Sequence, residues 1–326
     1  MKKRLFGKEA FPVSEVGLGS WQIGAGWGQV EDTTAREILE KARDQGITFF
    51  DTADVYGDGR SEKLIGAFFE QKPREVFIAT KVGRTPDLYP NGYSKSKVRE
   101  HITQSLQRLG TDTLDLIQTH CVPRQVMEDG EIYEWLSDFK QEGLIRNFGA
   151  SVETMEEAMI CMRHPGMYSL QIIFNIFRQS PNEEMLNKAR ENNTGIIVRV
   201  PLASGLLSGK FTSESSFAED DHRRFNRDGS HFNIGETFAG IPFEKGVEMA
   251  NELKKQVPDG FTLSQMALRW ILDHEAVSVV IPGASKPQQV EMNAAASDLP
   301  PLGQELHRKL KSYYDEFIES QIQGHY

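Results

Sequence analysis

The chain has 326 residues, 39% of them hydrophobic and 26% charged, with a formal net charge of −10 at pH 7, a composition ordinary for a soluble globular protein. No run of ~18 apolar residues exists, so no transmembrane span is expected, and the basic start MKKRLFGKEAF lacks the apolar core of a secretory signal. The acidic balance disfavours nucleic acid; the only cysteines, Cys121 and Cys161, belong to no CxxC pair, which argues against a disulfide scaffold or thiolate zinc site and suits a reducing cytoplasm.

Residues 2–14 read as a small hairpin. Phe6-Gly7-Lys8 lies near its turn, and Pro12 is allowed only at an edge. Such a hairpin suits the bottom of a closed barrel. Short apolar runs then recur at Val16–Leu18, Ile47–Phe50, Val76–Ala79, Leu114–Thr119, Ile145–Gly149, Leu170–Phe174, Ile196–Val200 and Val277–Ile281. They lack alternation, as strands covered by helices do. Their spacing of about 25–38 residues fits right-handed βαβ crossovers. About eight such runs predict a TIM (β/α)8 barrel as one domain over residues 1–326.

Helical segments lie between the runs. In SKVREHITQSLQRLG, Val98, Ile102, Leu106 and Leu109 form one stripe, and Gly110 is the stop. Thr33–Gln45 ends at Gly46 in the same way. Ser61–Glu70, Glu131–Gln141 and Glu153–Met162 continue the rhythm. Between the seventh and eighth runs the gap is about twice the others. There, 208–242 is polar and aperiodic, and predicts a lid, a binding loop or a disordered segment.

Barrel catalysts come from the C-terminal ends of strands. Asp51 closes the second run, Lys81 follows the third, and His120 follows the fourth. Tyr56 stands five residues after Asp51, in FFDTADVYGDG. Neighbouring strands allow these groups to converge. Asp54 and Asp58 read as turn residues. Adjacent His120 and Cys121 face opposite sides of a strand, which rules out a thiol–imidazole dyad.

The segments FFDTADVYG, ATKVG, LDLIQTHC, FGASVE, LQIIFN, RVPLASGLLSGK and IPGASKPQQ occur in this order at predicted strand ends. Together they resemble the aldo-keto reductase family, from about Gly17 to Asn293. The resemblance implies NADPH-dependent reduction of aldehydes or ketones. It implies a catalytic tetrad of Asp51, Tyr56, Lys81 and His120. Tyr56 would be the acid, Lys81 would ease its proton transfer, Asp51 would hold Lys81, and His120 would orient the carbonyl.

The same resemblance assigns cofactor residues. GLGSWQIGAGWG lacks GxGxxG spacing, but in the family this loop passes the nicotinamide and implicates Gly19, Ser20 and Trp21. Ser151 and Gln171 would hold the carboxamide, with Asn175 orienting neighbours. Val152 stands where relatives place an Asn. Arg199 replaces a stacking aromatic, as in some relatives, and its cation predicts weaker NADP⁺ than NADPH binding; its other reading is a buried ion-pair partner. Pro201, Leu202, Ala203, Ser204 and Gly205 form a turn suited to pyrophosphate, with Lys210 adding charge. Gly283, Ser285, Lys286 and Gln289 would bind the 2′-phosphate, and Asn293 the adenine. Met292 replaces a Glu that relatives direct at the adenine amine. Arg223 and Arg224 read as a solvated cluster, with covering of the adenosine as the alternative.

Trp21, Trp27, Tyr89 and parts of 211–242 are expected to wall the substrate pocket. Other functions remain open: a Schiff-base aldolase using Lys81, or a tetrameric binding protein like the channel β subunits of this family. A metal hydrolase is disfavoured, since no second His accompanies Asp51, Asp54 and His120. The expected protein is a cytoplasmic monomer acting on a small carbonyl compound, with no membrane or nucleic-acid partner and no metal.

Overall fold

The computed structural model describes residues 1–324 except 25, 29, 71–74 and 182. Position 25, inside the 17–28 segment, therefore lies outside the described residues.

Two strands, β1 (Lys3–Phe6) and β2 (Phe11–Ser14), pair antiparallel as the predicted hairpin. Eight parallel strands follow: β3 (Leu18–Gly19), β4 (Phe49–Asp51), β5 (Phe77–Val82), β6 (Leu114–His120), β7 (Ile145–Ser151), β8 (Met167–Ile173), β9 (Gly195–Arg199) and β10 (Val277–Val280). They pair in chain order. Parallel bridges Val16↔Val280 and Gly19↔Gly283 join the first to the last and close the barrel. Each predicted run matches one strand, but β3 and β4 are shorter than predicted because their flanks pair through isolated bonds such as Gly17 N to Val280 O at 2.8 Å.

Helices cover the outside. Lys95–Leu109 starts at Ser94, whose hydroxyl accepts from Lys97 N, and stops at Gly110, whose φ of 63° is the left-handed conformation glycine tolerates. Its buried face is Val98, Ile102, Leu106 and Leu109, the stripe read from the sequence.

Inside the barrel, a period of two fixes which residues point inward. Near the bottom these are apolar: Phe49, Phe77, Ala79, Leu116, Ile197 and Val279 form one buried cluster with Phe6 and Tyr168. Two residues further along β4, β5, β6 and β9 the inward series turns polar, at Asp51, Lys81, Gln118 and Arg199. The same alternation thus builds an apolar plug below and a polar floor above.

The 208–242 segment is an ordered strap. It contains short helical turns at His222–Phe225, Ile234–Glu236 and Phe238–Gly240. Its aromatic residues pack together: Phe217 lies 5.7 Å from Phe238 and 5.5 Å from Phe243 between ring centroids. Among the described residues, no helix is long and apolar enough to cross a membrane.

Candidate active site

Asp51, Lys81 and Tyr56 meet at the C-terminal mouth. Lys81 Nζ donates to Asp51 Oδ1 at 2.6 Å, to Thr52 O at 2.8 Å and to Tyr56 Oη at 3.2 Å. Burial opposes the Lys81 charge, but Asp51 and Tyr56 prevail and its pKa is raised. With three acceptors around it, this ammonium is held charged and is no free-amine nucleophile, which removes the Schiff-base reading. Asp51 Oδ2 accepts from Gln171 Nε2 at 2.7 Å and from Gln118 Nε2 at 3.4 Å. Burial raises the Tyr56 pKa while Lys81 pulls it down, and the net shift is upward.

His120 is buried, and its Nδ1 has no hydrogen-bond partner among the described residues. Burial, then Arg84, Lys81 and Arg199, push its pKa well below the ordinary value, so the ring is neutral. Its ring centroid lies 6.0 Å from that of Tyr56, edge on. Cys121 turns away: its sulfur lies 3.8 Å from Ser151 Oγ and 3.6 Å from Arg199 Nη2, and burial pushes the thiol up to about 11.

A cavity of about 280 Å³ opens on this group. Its lining joins Asp51, Tyr56 and His120 to the two nucleotide segments read from the sequence. Of the expected cofactor residues it includes Gly19, Ser20, Trp21, Gln171, Arg199, Pro201, Leu202, Gly205, Lys210, Gly283, Ser285 and Gln289. Lys81, Ser151, Ala203, Lys286 and Asn293 are not among its lining residues. Ser151 Oγ donates to Gln171 Oε1 at 3.3 Å and so orients that amide. Asn293 Nδ2 donates to Gly283 O at 3.3 Å, and Lys286 is exposed at the mouth. Gln289 Oε1 accepts from Ser285 N at 2.7 Å and Lys286 N at 3.1 Å, capping the helix Pro287–Ala294.

The donor set fits a nicotinamide dinucleotide. The turn at 200–205 carries successive left-handed residues, Ala203 (φ 47°), Ser204 (φ 53°) and Gly205 (φ 98°), after Val200 at φ 51°. Such strain, unusual for a β-branched residue, clusters at ligand sites. Consecutive amides in this conformation form a concave anion cradle. A side chain at Gly205 would meet the Phe211 ring at 3.0 Å.

Several groups were not legible in sequence. Arg84 bonds Glu236 Oε1 at 2.8 Å and Glu153 Oε1 at 3.2 Å. Arg199 pairs with Glu236 Oε2 at 3.3 Å and donates to Val152 O at 3.2 Å. Its ion-pair reading is therefore realised, and Val152 serves through its backbone. Ser204 Oγ donates to Glu236 O at 2.9 Å, tying strap to turn. Arg223 corrects the expectation of a solvated cluster. Its guanidinium sits 4.7 Å from the Trp27 ring and 4.5 Å from Phe217, and it lines the cavity. Arg224 does lie at the surface, paired with Glu219. Tyr89 is 47% exposed and is no part of the cavity wall. The loop after β5 instead turns its tip to solvent. These partners come from distant positions, and no local pattern marks them.

The fold and this site define an enzyme of the barrel-type oxidoreductase class. The sequence profile of the aldo/keto reductase family matches residues 15–315. Aldo-keto reductase YhdN of Bacillus subtilis is 32% identical over 286 residues, covering 85% of this chain and 83% of that protein. The NADH-specific methylglyoxal reductase of Escherichia coli is 30% identical over 324 residues, covering 92% and 94%. The holo form of aldo-keto reductase AKR11C1 from Bacillus halodurans superposes with a TM-score of 0.77, at 28% identity and 96% coverage of both chains. This chain belongs to the aldo/keto reductase family, and it is an oxidoreductase acting on carbonyls.

Proposed function

We propose that the protein reduces aldehydes or ketones to alcohols with NADPH. One observation carries the reading: the Lys81–Tyr56–Asp51 group opens into the same cavity as the turn at 199–210 and the segment 283–289. A bound dihydronicotinamide would supply hydride to the carbonyl carbon, and the site's own residues must meet the charge that grows on oxygen.

Tyr56 stays protonated through neutral pH, since the ordinary tyrosine pKa is near 10 and burial raises it further. It can therefore donate its hydroxyl proton as that charge develops. Lys81, fixed by Asp51 and Thr52 O, stabilises the resulting tyrosinate. Neutral His120 carries one ring proton, and a single donor nitrogen can hold the carbonyl oxygen toward Tyr56. Gln171, held by Asp51 and Ser151, offers an amide for a carboxamide. Exposed Lys286 beside Ser285 supplies the cation that distinguishes a 2′-phosphate from a hydroxyl.

Tyrosine-to-phenylalanine replacement is the direct test. Tyr56→Phe should lower turnover about 10²–10⁴-fold, the range general-acid catalysis supplies, and leave the NADPH dissociation constant within about twofold. Turnover near wild type would remove Tyr56 as the acid. In a parallel titration, Lys286→Met should weaken NADPH binding and leave NADH binding unchanged; equal loss for both would remove the 2′-phosphate assignment.

A further inference from the structure

Arg84, Glu153, Arg199 and Glu236 form an ion cluster at the barrel mouth, drawn from the loops after β5 and β7, the end of β9 and the strap. Glu236 is its hub. It faces Arg84 at 2.8 Å and Arg199 at 3.3 Å, while Glu153 takes the other side of Arg84 at 3.2 Å. Glu236 is 5% exposed, and its side chain nonetheless lines the cavity together with Arg199, Tyr56 and His120. Burial disfavours its charge, but the two guanidinium groups hold its pKa down at about 2. The sulfur of Cys121 and oxygens of Glu153 and Glu236 lie within 4.8 Å of one another. That group is no cation site, because Arg84 already bridges both carboxylates.

The cluster's two positive and two negative charges cancel. Charge matters here because the reaction changes it. A nicotinamide ring is neutral when reduced and positive when oxidised. Arg199 alone would repel the oxidised ring, as its sequence position suggests. In the structure that guanidinium comes with its own counter-charge.

We propose that Glu236 is a specificity-determining residue for the redox state of the cofactor: its carboxylate compensates Arg199 and sets the ratio of affinities for NADP⁺ and NADPH. The proposal rests on the carbonyl-reductase reading above. Glu236 favours the oxidised form, and Arg84, by countering Glu236, opposes it. The two residues therefore act with opposite sign on one ratio.

The test is equilibrium titration of intrinsic tryptophan fluorescence, to which Trp21 and Trp27 in the cavity wall contribute. Wild type, Glu236→Gln and Arg84→Gln are each titrated with NADP⁺ and with NADPH. For Glu236→Gln the ratio of NADP⁺ to NADPH dissociation constants should rise roughly ten- to fiftyfold, the effect of removing one unit charge about 7–12 Å from the ring at an effective dielectric of ~20. For Arg84→Gln the ratio should fall several-fold, by less than the Glu236→Gln change because Arg84 lies on the far side of Glu236 from Arg199. Loosening of the strap would weaken both forms alike and leave both ratios unchanged. Unchanged ratios, or ratios moving in the same direction, overturn the proposal. If Glu236→Gln does not fold, the sign of the Arg84→Gln change alone decides it. Failure of the wild type to bind either nucleotide would instead overturn the carbonyl-reductase reading, and this proposal with it.

Discussion

Asp54 stands two residues before Tyr56 and is 5% exposed. Neither of its carboxylate oxygens has a hydrogen-bond partner among the described residues. His101 Nδ1 approaches Oδ2 only to 3.6 Å, and Glu62 is a like charge acting on it. Burial, then Glu62, push the Asp54 pKa from 3.8 to about 7. In the sequence Asp54 looks like a turn residue, because its environment comes from Glu62, His101 and Arg108 on two later helices. A raised carboxyl pKa means that the folded state keeps a proton the unfolded chain releases. Its contribution is complete below about pH 4 and is lost as pH rises to about 7. Asp54→Asn stays neutral throughout. Urea unfolding at pH 8 should show the variant more stable than wild type by up to about 4 kcal/mol, at about 1.4 kcal/mol per pH unit. The gap should narrow toward pH 5. A variant less stable than wild type at pH 8 would show that Asp54 is stabilising as an anion.

The strap is the element that sequence reading described least well. Its polar composition concealed five phenylalanines that pack on one another, as Phe211 does on Phe217 and Phe225 on Phe232. His222 inserts between Trp21 and Trp27, with ring centroids at 4.7 and 4.4 Å. Burial holds His222 down at about 4, so it packs as a neutral ring. Arg223, locked by Asp221, lies over Trp27 and Phe217. The barrel strands were legible because burial on both faces demands continuous apolar runs. Asp51, Lys81 and His120 were legible because strand ends face the mouth. The strap obeys neither rule: it is held by contacts across the mouth, and these leave no period. Arg223→Ala removes a desolvated cation–π contact worth about 1–2 kcal/mol. Limited chymotrypsin digestion should then cleave within 211–242 several-fold faster than in wild type. An unchanged rate would mean that the phenylalanine cluster alone closes the strap.

At the scale of the whole molecule, the barrel places an apolar plug and a polar, charged layer at opposite ends of its axis. The bottom is stoppered by the hairpin. Arg4 pairs with buried Glu15 at 2.7 Å and donates to the carbonyl of Val277 at 2.8 Å, which ties the hairpin to the last strand. Phe6 enters the barrel itself. Its ring is fully buried and stands edge-on to Phe49, Phe77 and Tyr168, with centroids 5.3, 5.4 and 5.3 Å away. Tyr168 donates its hydroxyl to Phe6 O at 2.8 Å. A side chain at Gly195 would meet the Phe6 ring at 2.4 Å, so that strand position is shaped around the plug. Of the cluster around Phe6, Ile281 reaches the cavity, while Phe6, Phe49, Phe77 and Tyr168 are not among its lining residues. Phe6→Ala should therefore cost about 3–5 kcal/mol of stability, the range for emptying a buried aromatic site. At 25 °C, with the variant still folded, kcat/KM should stay within about twofold of wild type, because the inward-facing layer of Asp51, Lys81 and Gln118 is held by its own hydrogen bonds. Urea unfolding and steady-state reduction of one aldehyde, measured on the same preparation, separate the two quantities. A large fall in kcat/KM at unchanged fold would mean that the plug transmits packing to the polar floor, and that the two ends of the barrel are not independent.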